Sequence, residues 1–217
     1  MYFCTRDSNE PSSRATQKRQ LYIARNLENQ NDILASWQEH QALPDSEWRK
    51  DYYFPDTGGF VATHIFKARD DMGIPGIAAE VMACFRLATM GKHVLRLPEN
   101  IPELIDNITI DGKTYNQLLK FKTGESNPRG YPDVYFDGQT WDFKTSTFAN
   151  EDTLRHRIRE GRKADNVILI TQEARNIDRI QNAVKSEYGM RKKDCSWKEL
   201  PNVFCLYMGY LTAIWEK

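Results

Sequence analysis

The sequence predicts an α/β fold, a sheet flanked by helices, from three observations. Strand-type and helix-type segments mix along the chain instead of falling into separate blocks. The chain has 217 residues, enough for one compact domain with a sizeable core plus an appended segment. No internal repeat divides it.

Taken in order, residues 1–50 are polar and rich in Gln, Asn and Arg, with weak helical spacing at Leu21, Leu27 and Leu34. They read as an N-terminal helical extension, and residues 51–217 as the folded domain. Gly58-Gly59 marks a turn before a strand at Phe60–Phe66. Gly76–Met90 holds good helix formers and is ended by Gly91. His93–Leu97 reads as a strand, and 98–130 as a turn-rich insertion with a short helix at Tyr115–Lys120. A hairpin follows at Pro132–Lys144. Asn150 is an N-cap for a polar helix from Glu151 to Lys163. Asn166–Ile170 reads as a buried strand, Ile177–Glu187 as a helix, and Phe204–Tyr207 and Leu211–Trp215 as late strands.

Composition bounds the function. Apolar residues make up 40% and charged residues 28%, with thirty Lys and Arg against thirty Asp and Glu. A nucleic-acid surface must therefore be a local patch. No stretch is long and apolar enough to cross a membrane, and residues 1–25 lack the apolar centre of a secretory signal. Cys4, Cys84, Cys195 and Cys205 show no C-x-x-C spacing, so a reducing compartment and a cytoplasmic site of action are expected.

The chemistry concentrates in the hairpin. Asp137-Gly138 suits a two-residue turn, because both positions tolerate positive φ. That turn sets Phe136 opposite Gln139, Tyr135 opposite Thr140, Val134 opposite Trp141 and Asp133 opposite Asp142. Alternation then puts Val134, Phe136, Trp141 and Phe143 on an apolar face, and Asp133, Asp142 and Lys144 on the other. The two carboxylates stand at roughly 5 Å between Cβ atoms, where like charges repel. A divalent cation between them reverses the sign of that interaction. Lys144 points to the same side, placed to act on a water or on phosphate charge. The plainer alternative is a solvated polar face, since D-x(8)-D-x-K is a loose pattern. Glu80 is the one acid on a helix that is apolar nearly all round. A buried carboxylate there needs a partner, a proton or a metal; the alternative is a surface Glu on the helix's wet edge.

The Pro132-Asp133…Asp142-Phe143-Lys144 signature resembles the PD-(D/E)xK nuclease superfamily. The wider context adds Thr57-Gly-Gly-Phe60, the Glu80 helix ending Ala88-Thr-Met-Gly-Lys-His-Val94, and the Trp141–Lys144 strand. Together, over about residues 51–175, these resemble the C-terminal nuclease domain of contact-dependent growth-inhibition toxins. Related domains occur in phage-type minor head proteins and mobile elements. The resemblance implies a three-layer α/β core of restriction-endonuclease type with a mixed central sheet, Mg²⁺ or Mn²⁺ as cofactor, RNA cleavage with tRNA as substrate, and an immunity protein as partner. It implies Glu80, Asp133 and Asp142 as metal ligands, Lys144 as the catalytic lysine, and Thr145 and Ser146 as phosphate contacts. The polar extension and the long 98–130 insertion depart from the toxin pattern and leave substrate choice open. A DNA endonuclease of a mobile element or restriction system, and a non-catalytic nucleic-acid-binding module with the same fold, are the alternatives.

Arg155, Arg159 and Arg162 form one helical stripe just after the hairpin. Such a stripe either holds a phosphate backbone or is a solvated face. The topology of the sequence suggests that the first turns of this helix lie nearest the acids. The four histidines lack metal-ligand spacing, and the glycines match no phosphate-loop fingerprint.

Overall fold

The computed structural model describes residues 29–67, 75–99, 106–122, 124–146, 149–173, 175–191 and 196–216. Leu21 and Leu27, and with them most of the expected extension, lie outside the described residues, as do Cys4 and Cys195. The described chain opens with helix α1 over 29–42 and strand β1 (Trp48–Tyr53), then β2 (Phe60–His64), α2 (Pro75–Thr89) and β3 (His93–Arg96). The insertion holds a small β4–β5 hairpin (Thr109–Ile110, Lys113–Thr114) and a one-turn helix α3 (Tyr115–Leu118). Next come β6 (Val134–Phe136), β7 (Gln139–Thr145), α4 (Glu151–Glu160) and a 3-10 turn at Gly161–Lys163. The chain closes with β8 (Asn166–Thr171), α5 (Arg175–Met190), β9 (Asn202–Tyr207) and β10 (Tyr210–Trp215).

Eight strands form one mixed sheet in the order β1-β2-β3-β6-β7-β8-β9-β10. The β2–β3, β7–β8 and β8–β9 pairs are parallel and the others antiparallel. Alternate residues of a strand face opposite sides. Ile168 accordingly joins Ala83, Cys84, Leu87 and Ala88 of α2, while its neighbours Val167 and Leu169 pack on Leu154 and Ile158 of α4 and Ile180 and Val184 of α5. The fold is therefore a mixed sheet with helices on both faces, as expected from the sequence.

Asp137 (φ 51°) and Gly138 (φ 74°) both adopt the left-handed conformation, which matches the twist of a tight hairpin. The register is Val134 with Trp141, Tyr135 with Thr140 and Phe136 with Gln139. Val134, Phe136, Trp141 and Phe143 all enter the α2-side core, the apolar face that alternation assigned. Helix α2 ends in a Schellman motif. Gly91 (φ 83°) donates to the Ala88 carbonyl at 2.9 Å and Lys92 donates to that of Leu87 at 3.2 Å. Gly59 lets this end press onto β2, since a Cβ there would sit 1.9 Å from the Ala88 oxygen.

Of the expected extension, residues 29–50 are described. The boundary set at residue 50 falls inside β1, which pairs with β2 along the sheet edge. Helix α1 packs on the same body: Tyr53 donates to the Ile33 carbonyl at 2.7 Å, and the His40 ring lies 4.9 Å from that of Phe60. The polar composition of this stretch reflects an edge strand and a half-wet helix. Among the described residues no helix is long and apolar enough to cross a membrane.

Candidate active site

The hairpin and α2 bring Glu80, Asp133 and Lys144 to the wall of one cavity of about 350 Å³, together with Gly76, Thr145 and Arg157. Asp133 and Asp142 project from the neighbouring strands β6 and β7 toward the α4 side. The alternative of a solvated polar face is not what the structure shows, because Asp142 is 0% exposed and Asp133 is buried. Asp133 Oδ2 accepts from the Phe143 backbone N–H at 2.7 Å. Its other oxygen, Oδ1, accepts from Lys163 Nζ at 3.1 Å. The same Lys163 ammonium lies 2.7 Å from Asp142 Oδ1, and Lys144 Nζ lies 2.9 Å from Asp142 Oδ2.

The electrostatics of the two acids diverge. Burial works against ionising Asp133, but Lys163, Lys67, the Phe143 N–H and Lys144 outweigh it and hold its carboxyl below the usual range. Asp142 has burial and the Asp133 charge against it, and Lys163 and Lys144 compensate only in part, so its carboxyl is pushed up to about 7. Both Asp142 oxygens meet ammonium groups within ion-pair distance, yet neither has a well-angled hydrogen bond. For Lys163, burial favours the neutral amine, but Asp133 and Asp142 together hold its pKa raised.

Glu80 is not a wet surface acid: it shares the cavity wall with Asp133 but is engaged by cations of its own. Its Oε1 lies 3.1 Å from Lys67 Nζ and 3.2 Å from Arg96 Nη2, and both cationic side chains are only 3% exposed. Lys67 also pairs with Glu99. Burial alone would lower the Lys67 pKa, but Asp133, Glu80 and Glu99 raise it. Among the described residues no three His, Cys, Asp or Glu side chains converge as a metal-holding group. The expected Glu80–Asp133–Asp142 ligand set is therefore split: two carboxylates meet at one cation, and Glu80 is engaged by two others. The meeting pair supplies oxygen donors with unfilled hydrogen-bonding capacity around a point that already favours positive charge. That donor chemistry fits Mg²⁺ or Mn²⁺ at Asp133 and Asp142.

The residues expected to hold substrate separate. Thr145 lines the cavity. Ser146 is buried, and its hydroxyl donates to the Ile170 carbonyl at 2.8 Å, which makes it a strand-end fastening. Arg155 and Arg159 do share a stripe, but the stripe faces α5. Arg155 Nε and Arg159 Nη1 lie 3.3 and 3.4 Å from Oε2 of Glu187, itself 0% exposed. Arg162 pairs with Glu199 at 3.9 Å and donates to the Arg159 carbonyl at 3.0 Å. Arg155 and Arg159 thus neutralise a buried acid between two helices, Arg162 meets a half-exposed one, and none of the three lines the acid cavity.

Lys163, Lys67, Arg96 and Arg157 carry no motif. A topological signal for Lys163 does exist. Strand β8 runs parallel to β7 with Val167 beside Asp142, so α4 must carry the chain back along the sheet and deliver its last turn near that acid. The 3-10 turn that follows α4 thus reaches the aspartates through Lys163, not the first turns of the helix as expected. Gly161 allows it, since a Cβ there would lie 2.8 Å from Cβ of Val167.

No protein-family model and no curated protein matches this chain. A solved structure to which it is similar is a CdiA-CT/CdiI toxin and immunity complex from Burkholderia pseudomallei. The TM-score is 0.40 at 16% sequence identity, covering 69% of this chain and 91% of that one. A likeness this loose leaves the chemistry of the site to its own residues.

Proposed function

We propose that this chain is a metal-dependent endonuclease of PD-(D/E)xK type. Its acid cavity would hydrolyse phosphodiester bonds in RNA, with tRNA the substrate implied by the sequence resemblance. The observation that carries this reading is the buried Asp133–Asp142 pair with Lys144 beside it. Two like charges taken out of water and set together weaken a fold, and three lysines are spent near them. A site that must bind cations and handle protons near neutral pH accounts for the arrangement.

Asp133 and Asp142 would hold the divalent ion, whose charge would polarise a phosphate oxygen. Lys144, open to the cavity, orients the attacking water and offsets negative charge building on the phosphate. Glu80 fixes Lys67 and Arg96, and the Lys67 charge supports the ionised form of Asp133. The toxin-type reading brings an immunity protein as partner.

Incubation with total tRNA and with plasmid DNA, each in Mg²⁺ and in excess EDTA, tests the reading. Discrete tRNA fragments in Mg²⁺ alone are expected. Cutting of DNA with tRNA left intact would move the substrate to DNA, and cleavage of neither would overturn the nuclease reading.

A further inference from the structure

Helix α4 and the turn after it carry six basic side chains, and the structure gives five of them an acidic partner. Arg155 and Arg159 meet Glu187, His156 meets Glu160, Arg162 meets Glu199, and Lys163 bridges the two aspartates. Arg157 differs. Its guanidinium makes no hydrogen bond or ion pair among the described residues, and its Nη1 is buried without a partner. It is also the one arginine of this helix that lines the acid cavity, alongside Glu80, Asp133 and Lys144.

A buried donor without an acceptor costs free energy that folding does not return. The acids within the cavity do not satisfy it, because Lys67 and Arg96 engage Glu80 and Lys163 engages Asp133. The guanidinium is therefore a permanently charged donor fork at the cavity wall with hydrogen-bonding capacity left unfilled. A planar fork of N–H donors matches two oxygens of one phosphate, and the match is stronger than a lysine makes. Sequence spacing already sets Arg157 apart from the stripe at 155, 159 and 162. Two residues from Arg155 is about 200° round the helix, so a helix with α5 on one side presents Arg157 on the other.

We propose that Arg157 is the anion-holding residue of this cavity, gripping the two non-bridging oxygens of a substrate backbone phosphate while Lys144 faces the reacting centre. The proposal deepens the nuclease reading and rests on it for the identity of the substrate, but the anion site itself is open to a separate measurement. Inorganic phosphate is titrated into the parent protein while the Arg157 Nε–H resonance is followed by NMR. Phosphate binding and RNA cleavage are then compared in the parent, Arg157→Ala, Arg157→Lys and, as control, the solvent-facing His156→Ala.

The Arg157 resonance should move on phosphate addition. Arg157→Ala should weaken phosphate binding and raise the KM for RNA by about tenfold or more, as expected for loss of a bidentate charged contact. Arg157→Lys should recover part of the loss, with His156→Ala like the parent. A still Arg157 resonance in saturating phosphate overturns the proposal, and needs no variant to fold. So does Arg157→Ala with parental phosphate affinity and parental KM. Phosphate bound through Arg157 in a protein that cleaves neither RNA nor DNA supports the anion site and removes the nuclease reading. Cleavage that is indifferent to Arg157 does the reverse.

Discussion

Replacing Asp142 with Asn should make the protein more stable, and increasingly so as the pH rises. Asp142 is fully buried beside Asp133, and its carboxyl titrates at about 7 in place of 3.8. An acid with a raised folded pKa keeps its proton longer in the folded state. Its contribution is fully present below pH 3.8 and is lost as the pH climbs through 3.8 to about 7. At pH 8 that span amounts to about 4 kcal/mol against folding. The amide imitates the protonated carboxyl, and the raised pKa already contains the pull of Lys163 and Lys144 toward the charged form. A gain of up to about 4 kcal/mol, or about 10 °C in Tm, is therefore expected at pH 8. At pH 5 less than half of the effect remains. Urea unfolding of both proteins at pH 5 and pH 8 measures it. If the variant is less stable than the parent at pH 8, Asp142 is the anchor of a structural ion-pair network, and the argument that function maintains a strained acid pair fails.

Other outcomes follow from the same contacts. Lys163→Met leaves Asp133 and Asp142 facing each other without the shared ammonium and should cost about 3–5 kcal/mol. Millimolar Mn²⁺ should restore much of the lost Tm, whereas no restoration would mean that the pair does not bind a divalent ion. Arg155→Ala should lower stability by about 1–2 kcal/mol through Glu187, which keeps Arg159 and Arg191; the salt dependence of RNA binding should stay parental, and a flatter slope would return the stripe to the substrate track. His64 accepts from the Phe66 N–H at Nδ1, and burial lowers its pKa from 6.5 to about 4. Stability from keeping it neutral is present above pH 6.5 and lost as the pH falls toward 4. An NMR titration midpoint near 4 is expected, and one near 6.5 would show that the ring is not sealed from water.

The hairpin was legible because a two-residue turn with both φ positive fixes the register, and the register fixes the faces. Helix α2 was legible because its composition and Gly91 are local signals. Strand β1 was not: its sequence, Trp-Arg-Lys-Asp-Tyr-Tyr, is that of a charged edge strand with a bulge, and only pairing with β2 makes it a strand. The opposed aspartates could be read, but their burial could not, since what covers them is the turn at Gly161–Lys163 folded back from the next helix. The basic stripe had the right spacing and the wrong direction, because its orientation depends on a buried Glu187 on an element further along the chain. The helix pattern shows Glu80 as an acid that needs a partner, a proton or a metal, but its cations, Lys67 and Arg96, come from beyond β2 and from β3 with no motif between them.

The most direct test of the central claim, that this cavity performs phosphodiester cleavage, is the single-turnover rate of RNA cleavage by Lys144→Ala at saturating protein. Lys144 touches Asp142 and faces the cavity, so its loss should lower the rate by about 10²–10⁴-fold while RNA affinity and the folded state persist. A variant that cleaves at the parental rate would place the chemistry outside the acid cavity and contradict the account.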